Sequence, residues 1–262
     1  MQSLLKLMQT LRDPHVGCPW DQRQTFESIA PYTIEEAYEV ADAIKKRDWS
    51  GLRSELGDLL FQVVFHAQMA REAGHFSFDE VVTDIVAKMH RRHPHVFGTE
   101  EERRAGPPDW EAMKQAERES ENEPSQSGLD GIPSNLPALS RAHKTQSRAA
   151  TVGFDWPDIE GVRAKVIEEL DEVLHEVNTN APISATENEL GDLLFSCVNL
   201  ARHLGINPER ALDRAVDKFD MRFRLVEQLA GERAIDMGDA TLEELDEIWR
   251  EAKIRIAMQS GK

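Results

Sequence analysis

The heptapeptide Glu-Leu-Gly-Asp-Leu-Leu-Phe occurs twice in this chain, at Glu55–Phe61 and at Glu189–Phe195. A second acidic motif precedes each copy at nearly the same distance: Glu35-Glu36-Ala37-Tyr38-Glu39 before the first, Glu168-Glu169-Leu170-Asp171-Glu172 before the second. The chain therefore spells Glu-x-x-Glu followed by Glu-x-x-Asp, and does so twice. Repetition at this scale marks an internal duplication. It constrains the fold more than any single motif, because each copy must be a unit of the same kind.

The repeat extends beyond the acids. Val16-Gly17-Cys18-Pro19-Trp20 answers to Val152-Gly153-Phe154-Asp155-Trp156. Lys88 and Arg92, four apart, answer to Lys218 and Arg222, and Trp110 with Lys114 answers to Trp249 with Lys253. Each copy thus carries four paired acids, two spaced basic residues, and a tryptophan followed by a lysine.

Periodicity is helical almost throughout. Ile34, Ala37, Tyr38, Ala41 and Ile44 recur at i, i+3, i+4 spacing, as do Leu52, Leu56, Leu59, Leu60, Val63 and Val64. Ser77 with Glu80 forms a capping box opening a helix that ends near His93-Pro94. A short helix is expected over Trp110–Glu119. The polar, breaker-rich run from Ser120 to Asn135 reads as a linker. In the second copy, helices are expected over Ile159–Val177, Ser184–Leu204, Pro208–Leu229 and Leu242–Met258, with Asn207 and Thr241 as caps. No strand alternation is visible. The fold class is all-α: two tandem helical-bundle domains, 1–119 and 136–262, joined by the linker 120–135.

Within a helix, residues three or four apart share a face. Glu169 and Glu172 then point one way from one helix, and Glu189 and Asp192 point together from the next. If the two helices pack antiparallel, four carboxylates converge, and like charges at that density need cations. An all-carboxylate shell selects Mg²⁺, or Mn²⁺, over zinc or copper. The first copy offers the same set in Glu36, Glu39, Glu55 and Asp58. Lys218 and Arg222, one turn apart, can meet a polyphosphate, and Trp249 offers a face to a base.

Each element also has a plainer reading. Thr33 with Glu36, and Thr186 with Glu189, fit a capping box. Lys218 and Arg222 can be solvated surface, and Trp249 can be core. Arg91-Arg92-His93-Pro94-His95 is most simply a basic helix end. Clustered acids that recur as a whole set favour the metal reading over these.

Composition narrows the remaining options. A formal charge of -17, from 48 acidic and 31 basic residues, argues against sequence-blind binding of nucleic acid. Cys18 and Cys197 give no disulfide framework, and Cys197, in an apolar helical run, is expected to be buried. Met1–Leu11 is short and amphipathic, unlike a signal peptide, and no apolar run approaches a membrane span. The expectation is a soluble cytoplasmic protein.

These motifs together resemble the MazG nucleoside triphosphate pyrophosphohydrolases, members of the all-α NTP pyrophosphatases. The carriers are Glu168-Glu169-x-x-Glu172, Glu189-Leu-Gly-Asp192, the Cys18-Pro-Trp-Asp21 segment and the tandem layout. The resemblance implies Mg²⁺-dependent hydrolysis between the α and β phosphates, giving a monophosphate and pyrophosphate, in a homodimer. It also implies that the second copy is the working one. Carried over residue by residue, Glu169, Glu172, Glu189 and Asp192 would bind magnesium, with Glu168 beside them as ligand or water-orienting base. Lys165, Lys218 and Arg222 would meet the phosphates, and Trp249 and Lys253 would close over the nucleotide. One departure stands out: where the family often carries another acid just before the second motif, this chain has Asn188, and Ser54 in the first copy. The rivals are a narrower dUTPase- or dCTPase-like phosphohydrolase, and a metal-stabilised helical interaction module without turnover.

Overall fold

The computed structural model describes residues 1–108, 113 and 127–260. The regular elements among the described residues are all helices, and the chain divides into two compact units, Met1–Asn122 and Glu123–Lys262.

The first unit opens with α1 (Gln2–Leu11) and the short α2 (Pro19–Gln22), then the long α3 (Phe26–Lys46) and α4 (Trp49–Glu72). α5 (Phe78–Arg92), α6 (Pro94–Phe97) and α7 (Glu100–Ala105) follow. α3 starts where Thr25 and Ser28 cap each other reciprocally. It stops at Arg47, which takes a left-handed conformation (φ 55°), and Asp48 then accepts from the backbone N–H groups of Ser50 and Gly51 to open α4. So short a connection folds α3 and α4 into an antiparallel hairpin. The hairpin is held from the side by α1. Met8, Ile29, Val64, Phe65 and Met69 form the buried core, with Leu4, Leu5, Phe61 and Phe78 packed against it. Burial of each large side chain contributes roughly 1.5–3 kcal/mol. Arg12 binds Glu72 at 2.7 Å and lies 5.5 Å from the Phe65 ring centroid, tying the end of α1 to α4.

The second unit contains α8 (Ala138–Thr151), α9 (Ile159–Asn178), α10 (Ile183–His203), α11 (Pro208–Glu232) and α12 (Leu242–Ser260). α9 and α10 repeat the antiparallel hairpin. α8 braces it: Gln146 Nε2 donates to the Phe195 carbonyl at 2.8 Å, and Ser140 reaches Glu209 at the start of α11. α11 and α12 enclose their own core of Val226, Leu229, Ala230, Ile248 and Ala252. Asn207 accepts from the Arg210 N–H, and Thr241 and Glu244 form a reciprocal capping box, as their sequence positions require.

The expected helices stand within about a turn of their observed bounds at most ends. Three differences are informative. α8 was not anticipated, because Ala138–Thr151 has few large apolar residues to mark a face. α3 begins well before Ile34, since Pro31 sits inside it and disguises the start. Cys197 is exposed, contrary to expectation. Ser196 and Val198 take the buried face of α10, while Leu194, Phe195 and Cys197 do not, so an apolar run is not buried all round. The helix expected over Trp110–Glu119, apart from residue 113, and residues 120–126 of the expected linker lie outside the described residues.

Candidate active site

The two hairpins decide where the acids go. Glu168, Glu169 and Glu172 stand mid-way along α9, and Glu189 and Asp192 stand in the second and third turns of α10. One carboxylate oxygen from each of Glu169, Glu189 and Asp192 lies within 4.8 Å of the other two. In the first unit Glu36, Glu39 and Glu55 meet in the same way. Each quartet thus contributes three acids to a tight group. The fourth stays electrostatically coupled: the Glu169 charge acts on Glu172, and the Asp58 charge acts on Glu36 and Glu55.

The capping reading fails for both sets. α3 begins at Phe26 and α10 at Ile183, so Thr33 and Thr186 lie inside helices and not at their caps. Thr33 instead pairs its hydroxyl with His66 Nε2 at 3.1 Å. Glu36 and Glu189 are left with their side chains on the facing surfaces of the hairpins.

Burial, and then crowding, raises the proton affinity of three carboxyls, Glu36, Glu55 and Glu172. Desolvation, then the Glu169 charge, pushes Glu172 above its ordinary 4.5. Desolvation, then the charges of Asp58 and Glu39, raises Glu36, while a hydrogen bond from Gln62 opposes the rise. Glu55 is raised by desolvation and by Glu39 and Asp58. A hard divalent cation would relieve all of these at once. The donor set, three carboxylate oxygens on two rigid helices with one acid almost fully buried, fits Mg²⁺ or Mn²⁺.

The two copies differ in their own cations. Lys165, one turn before Glu169, places Nζ 2.7 Å from Glu169 Oε1 and 2.9 Å from Glu168 Oε1. Those carboxylates, Glu169 first, raise its pKa further. The corresponding residue before Glu36 is Tyr32, which carries no charge.

Beside the second group lies an open depression of about 720 Å³, lined by Glu168, Asp171, Glu172, His175, Glu176 and Glu189 along with Ala164 and Ile167. Its volume falls within the range of about 300–1,000 Å³ usual for small-molecule sites. Asp171, His175 and Glu176 were not singled out from sequence, although their spacing from Glu168 and Glu172 puts them on one face of α9. Gly191, between Glu189 and Asp192, faces open space: a Cβ there would meet nothing within 4 Å. Its lack of a side chain is not needed for packing within the unit.

Lys218, Arg222, Trp249 and Lys253 lie on α11 and α12 and do not line this depression. Lys218 and Lys253 are exposed, Arg222 and Trp249 half-buried. Trp249 packs against the α11–α12 core and lies 5.4 Å from Phe219, centroid to centroid. The Arg222 guanidinium sits over its ring, and Arg222 Nε is buried without a hydrogen-bond partner among the described residues. In the first unit Lys88 and Arg92 occupy the last turns of α5; Trp110 and Lys114 lie outside the described residues.

A clamp missed from sequence fixes the start of α9. Asp155 accepts hydrogen bonds from Arg202, from His203 Nε2 at 3.0 Å and from the Trp156 N–H at 2.8 Å. The Arg202 bond, above all, holds the Asp155 carboxyl below its usual value. The only sequence signal was the match of Phe154-Asp155-Trp156 to Cys18-Pro19-Trp20, which does not show what Asp155 binds.

Comparison with known proteins agrees with this geometry. The MazG nucleotide pyrophosphohydrolase domain matches residues 24–97 and again 158–226, spanning each acidic hairpin and reaching Arg92 and Arg222. The nucleoside triphosphate pyrophosphohydrolase of Escherichia coli K12 is 51% identical over 253 residues, covering 95% of both chains. The nucleoside triphosphate pyrophosphohydrolase/pyrophosphatase MazG of Thermotoga maritima is 43% identical over 252 residues, 96% of this chain and 95% of its own. A crystal structure of a mazG-related protein from Thermotoga maritima matches 46% of this chain and 99% of its own at 25% identity, with a TM-score of 0.36. With the family's domain matched on both hairpins and relatives similar along nearly the whole length, the chain belongs to the MazG family: it is a nucleotide pyrophosphohydrolase that carries the family's domain twice.

Proposed function

We propose that this chain hydrolyses nucleoside triphosphates between the α and β phosphates, releasing a nucleoside monophosphate and pyrophosphate, with the second copy as the working one. The observation that carries the proposal is the convergence of Glu169, Glu189 and Asp192, with Glu189 also lining a depression large enough for a nucleotide. Glu172, which lines the depression and feels the Glu169 charge, joins the same set by rotation of its side chain. Mg²⁺ held there, with Mn²⁺ as a substitute, supplies Lewis acidity toward phosphoryl oxygens and charge for the departing pyrophosphate.

The chain's own residues do the rest. Glu168 lines the depression and orients the attacking water. Lys165 stands at its edge. Lys218 and Arg222 do not line the depression, and their assignment to the triphosphate charge, like that of Trp249 and Lys253 to the nucleoside, follows the family resemblance. A ring face does not discriminate strongly between bases, so broad use of the four common nucleotides follows.

Domain limits of 1–119 and 136–262 around a linker at 120–135 fit this division of labour. A homodimer accounts for the apolar residues that α9 and α10 leave exposed, among them Ile167, Leu170, Leu174, Leu190 and Leu194. No helix among the described residues is long and apolar enough to cross a membrane. Two free cysteines and a nucleotide substrate fit the cytoplasm. The high acidic charge disfavours nucleic acid as a partner.

Incubation with ATP and Mg²⁺, followed by chromatography of the products, tests the reading. AMP and pyrophosphate in equal amounts are expected. ADP and orthophosphate would reject it.

A further inference from the structure

Glu169 is 4% exposed, the most buried of the acids around the depression. A carboxylate so placed needs a positive partner. Within the chain that partner is Lys165, whose ammonium lies 2.7 Å from Glu169 and 2.9 Å from Glu168. Yet Glu169 is also the acid that the group with Glu189 and Asp192 cannot do without: it alone comes from α9, whereas the other two share α10. One carboxylate thus has two claimants. An ammonium in hydrogen-bonding contact with Glu169 Oε1 competes with a divalent cation for the charge that both need.

The geometry also gives Lys165 somewhere to go. Its neighbours Ala164 and Glu168 line the depression, its side chain is 36% exposed, and its stem is long and flexible. An ammonium released from Glu169 is therefore at the rim where phosphates would lie. We propose that Lys165 is an internal counter-ion of the second acidic cluster, which yields Glu169 to the divalent cation and turns to the phosphate of the incoming nucleotide.

This rests on the reading of the second copy as a metal and triphosphate site, and adds an order of exchange to it. Metal and nucleotide each favour the same displacement of one side chain, so their binding is positively coupled, and reciprocally so. The first copy provides an internal contrast. Tyr32 occupies the matching position, and Glu36 is met by the neutral amide of Gln62. Among the described residues, no lysine stands at the matching position of that cluster to be displaced.

The test of this exchange reads metal affinity and not turnover. Full-length protein carrying Glu39→Gln and Glu55→Gln, to silence the first cluster, is titrated with Mn²⁺ without nucleotide, and free Mn²⁺ is followed by electron paramagnetic resonance. Adding Lys165→Gln should tighten Mn²⁺ binding roughly two- to fivefold, the range of a partly screened ion pair. Unchanged or weaker binding would overturn the proposal while leaving the metal site intact. No Mn²⁺ binding with or without Lys165 would overturn the metal reading itself, and the exchange with it.

A second measurement uses the unaltered chain. The amine of Lys165, held between two carboxylates, should react slowly with an amine-directed acylating ester in the presence of a chelator. Mg²⁺ should raise labelling at residue 165 several-fold, as measured by peptide mass spectrometry. Equal labelling in both conditions would count against displacement.

Discussion

The guanidinium carbon of Arg222 lies 5.9 Å from the centroid of the Trp249 ring, joining α11 to α12. If Arg222 meets phosphate and Trp249 the base, as proposed, the two roles can be separated by kinetics. Arg222→Ala should reduce kcat/KM for ATP, GTP, CTP and UTP by a similar factor, about 10–100-fold for the loss of a charge-assisted contact to their shared part. Trp249 also packs against the core, so Trp249→Phe is a better probe than alanine. It should weaken purines more than pyrimidines, since stacking contributes roughly 1–3 kcal/mol per base and grows with ring area. A defect confined to one nucleotide in the Arg222 variant would favour a narrow, dUTPase-like enzyme.

Division of labour between the copies is tested by matched acids. Glu172→Ala should abolish turnover, with a loss above about 100-fold. Glu39→Ala, at the same place in the first copy, should leave at least half the wild-type rate. The opposite pattern in a product assay would assign the work to the first copy.

Clustered acids make stability depend on metal and on pH. Glu172, Glu36 and Glu55 all have folded pKa values raised above 4.5. Their contribution is favourable below that value and is lost as pH rises through the raised pKa, because the folded state then carries charges that are partly desolvated and repel one another. Without metal, the difference in Tm between wild type and Glu172→Gln should therefore widen in favour of the variant from pH 5 to pH 7. Mg²⁺ should erase it. At 100 times Kd a ligand of the folded state contributes about 2.7 kcal/mol, or roughly 5–10 °C in Tm for a unit of this size. Asp192→Asn should shrink that increase, and calorimetry with and without chelator will measure it.

Asp155 offers a test with the opposite sign. Its carboxyl is held below 3.8 by Arg202 first and by His203, so its contribution is present above that value and lost as pH falls through the lowered pKa. Asp155→Asn should cost about 1–2 kcal/mol at pH 7, and progressively less as the pH falls below 3.8. Chemical denaturation across that range will show the difference.

The helical hairpins and their acids were legible because they depend on local spacing: residues three apart share a face wherever the helix goes. Paired motifs in a duplicated chain then point at one another once the hairpin closes. Lys165 was legible only through family resemblance, since a lysine one turn before an acid is ordinary on any helix surface. The Asp155 clamp was not legible, because Arg202 and His203 lie at the far end of α10 and meet Asp155 only through tertiary packing. The exposure of Cys197 was misjudged for a related reason. Apolar content marks a helix, but which side is covered depends on where its neighbours lie.

One contact near that clamp bears on how the site tolerates change. Added to Gly161, a Cβ would come within 2.6 Å of the Trp156 ring. The indole is thus wedged against bare backbone in the first turn of α9. A helix is stiff over such lengths, and Glu169 stands eight residues on, about 12 Å along the axis. Any side chain at 161 either evicts the indole or tilts the rod, and the tilt is delivered undiminished to the carboxylate. Heredity has little latitude at this glycine, although it touches no substrate: an alanine there should leave a protein that folds, sediments and melts much like its parent, yet presents its acids out of register.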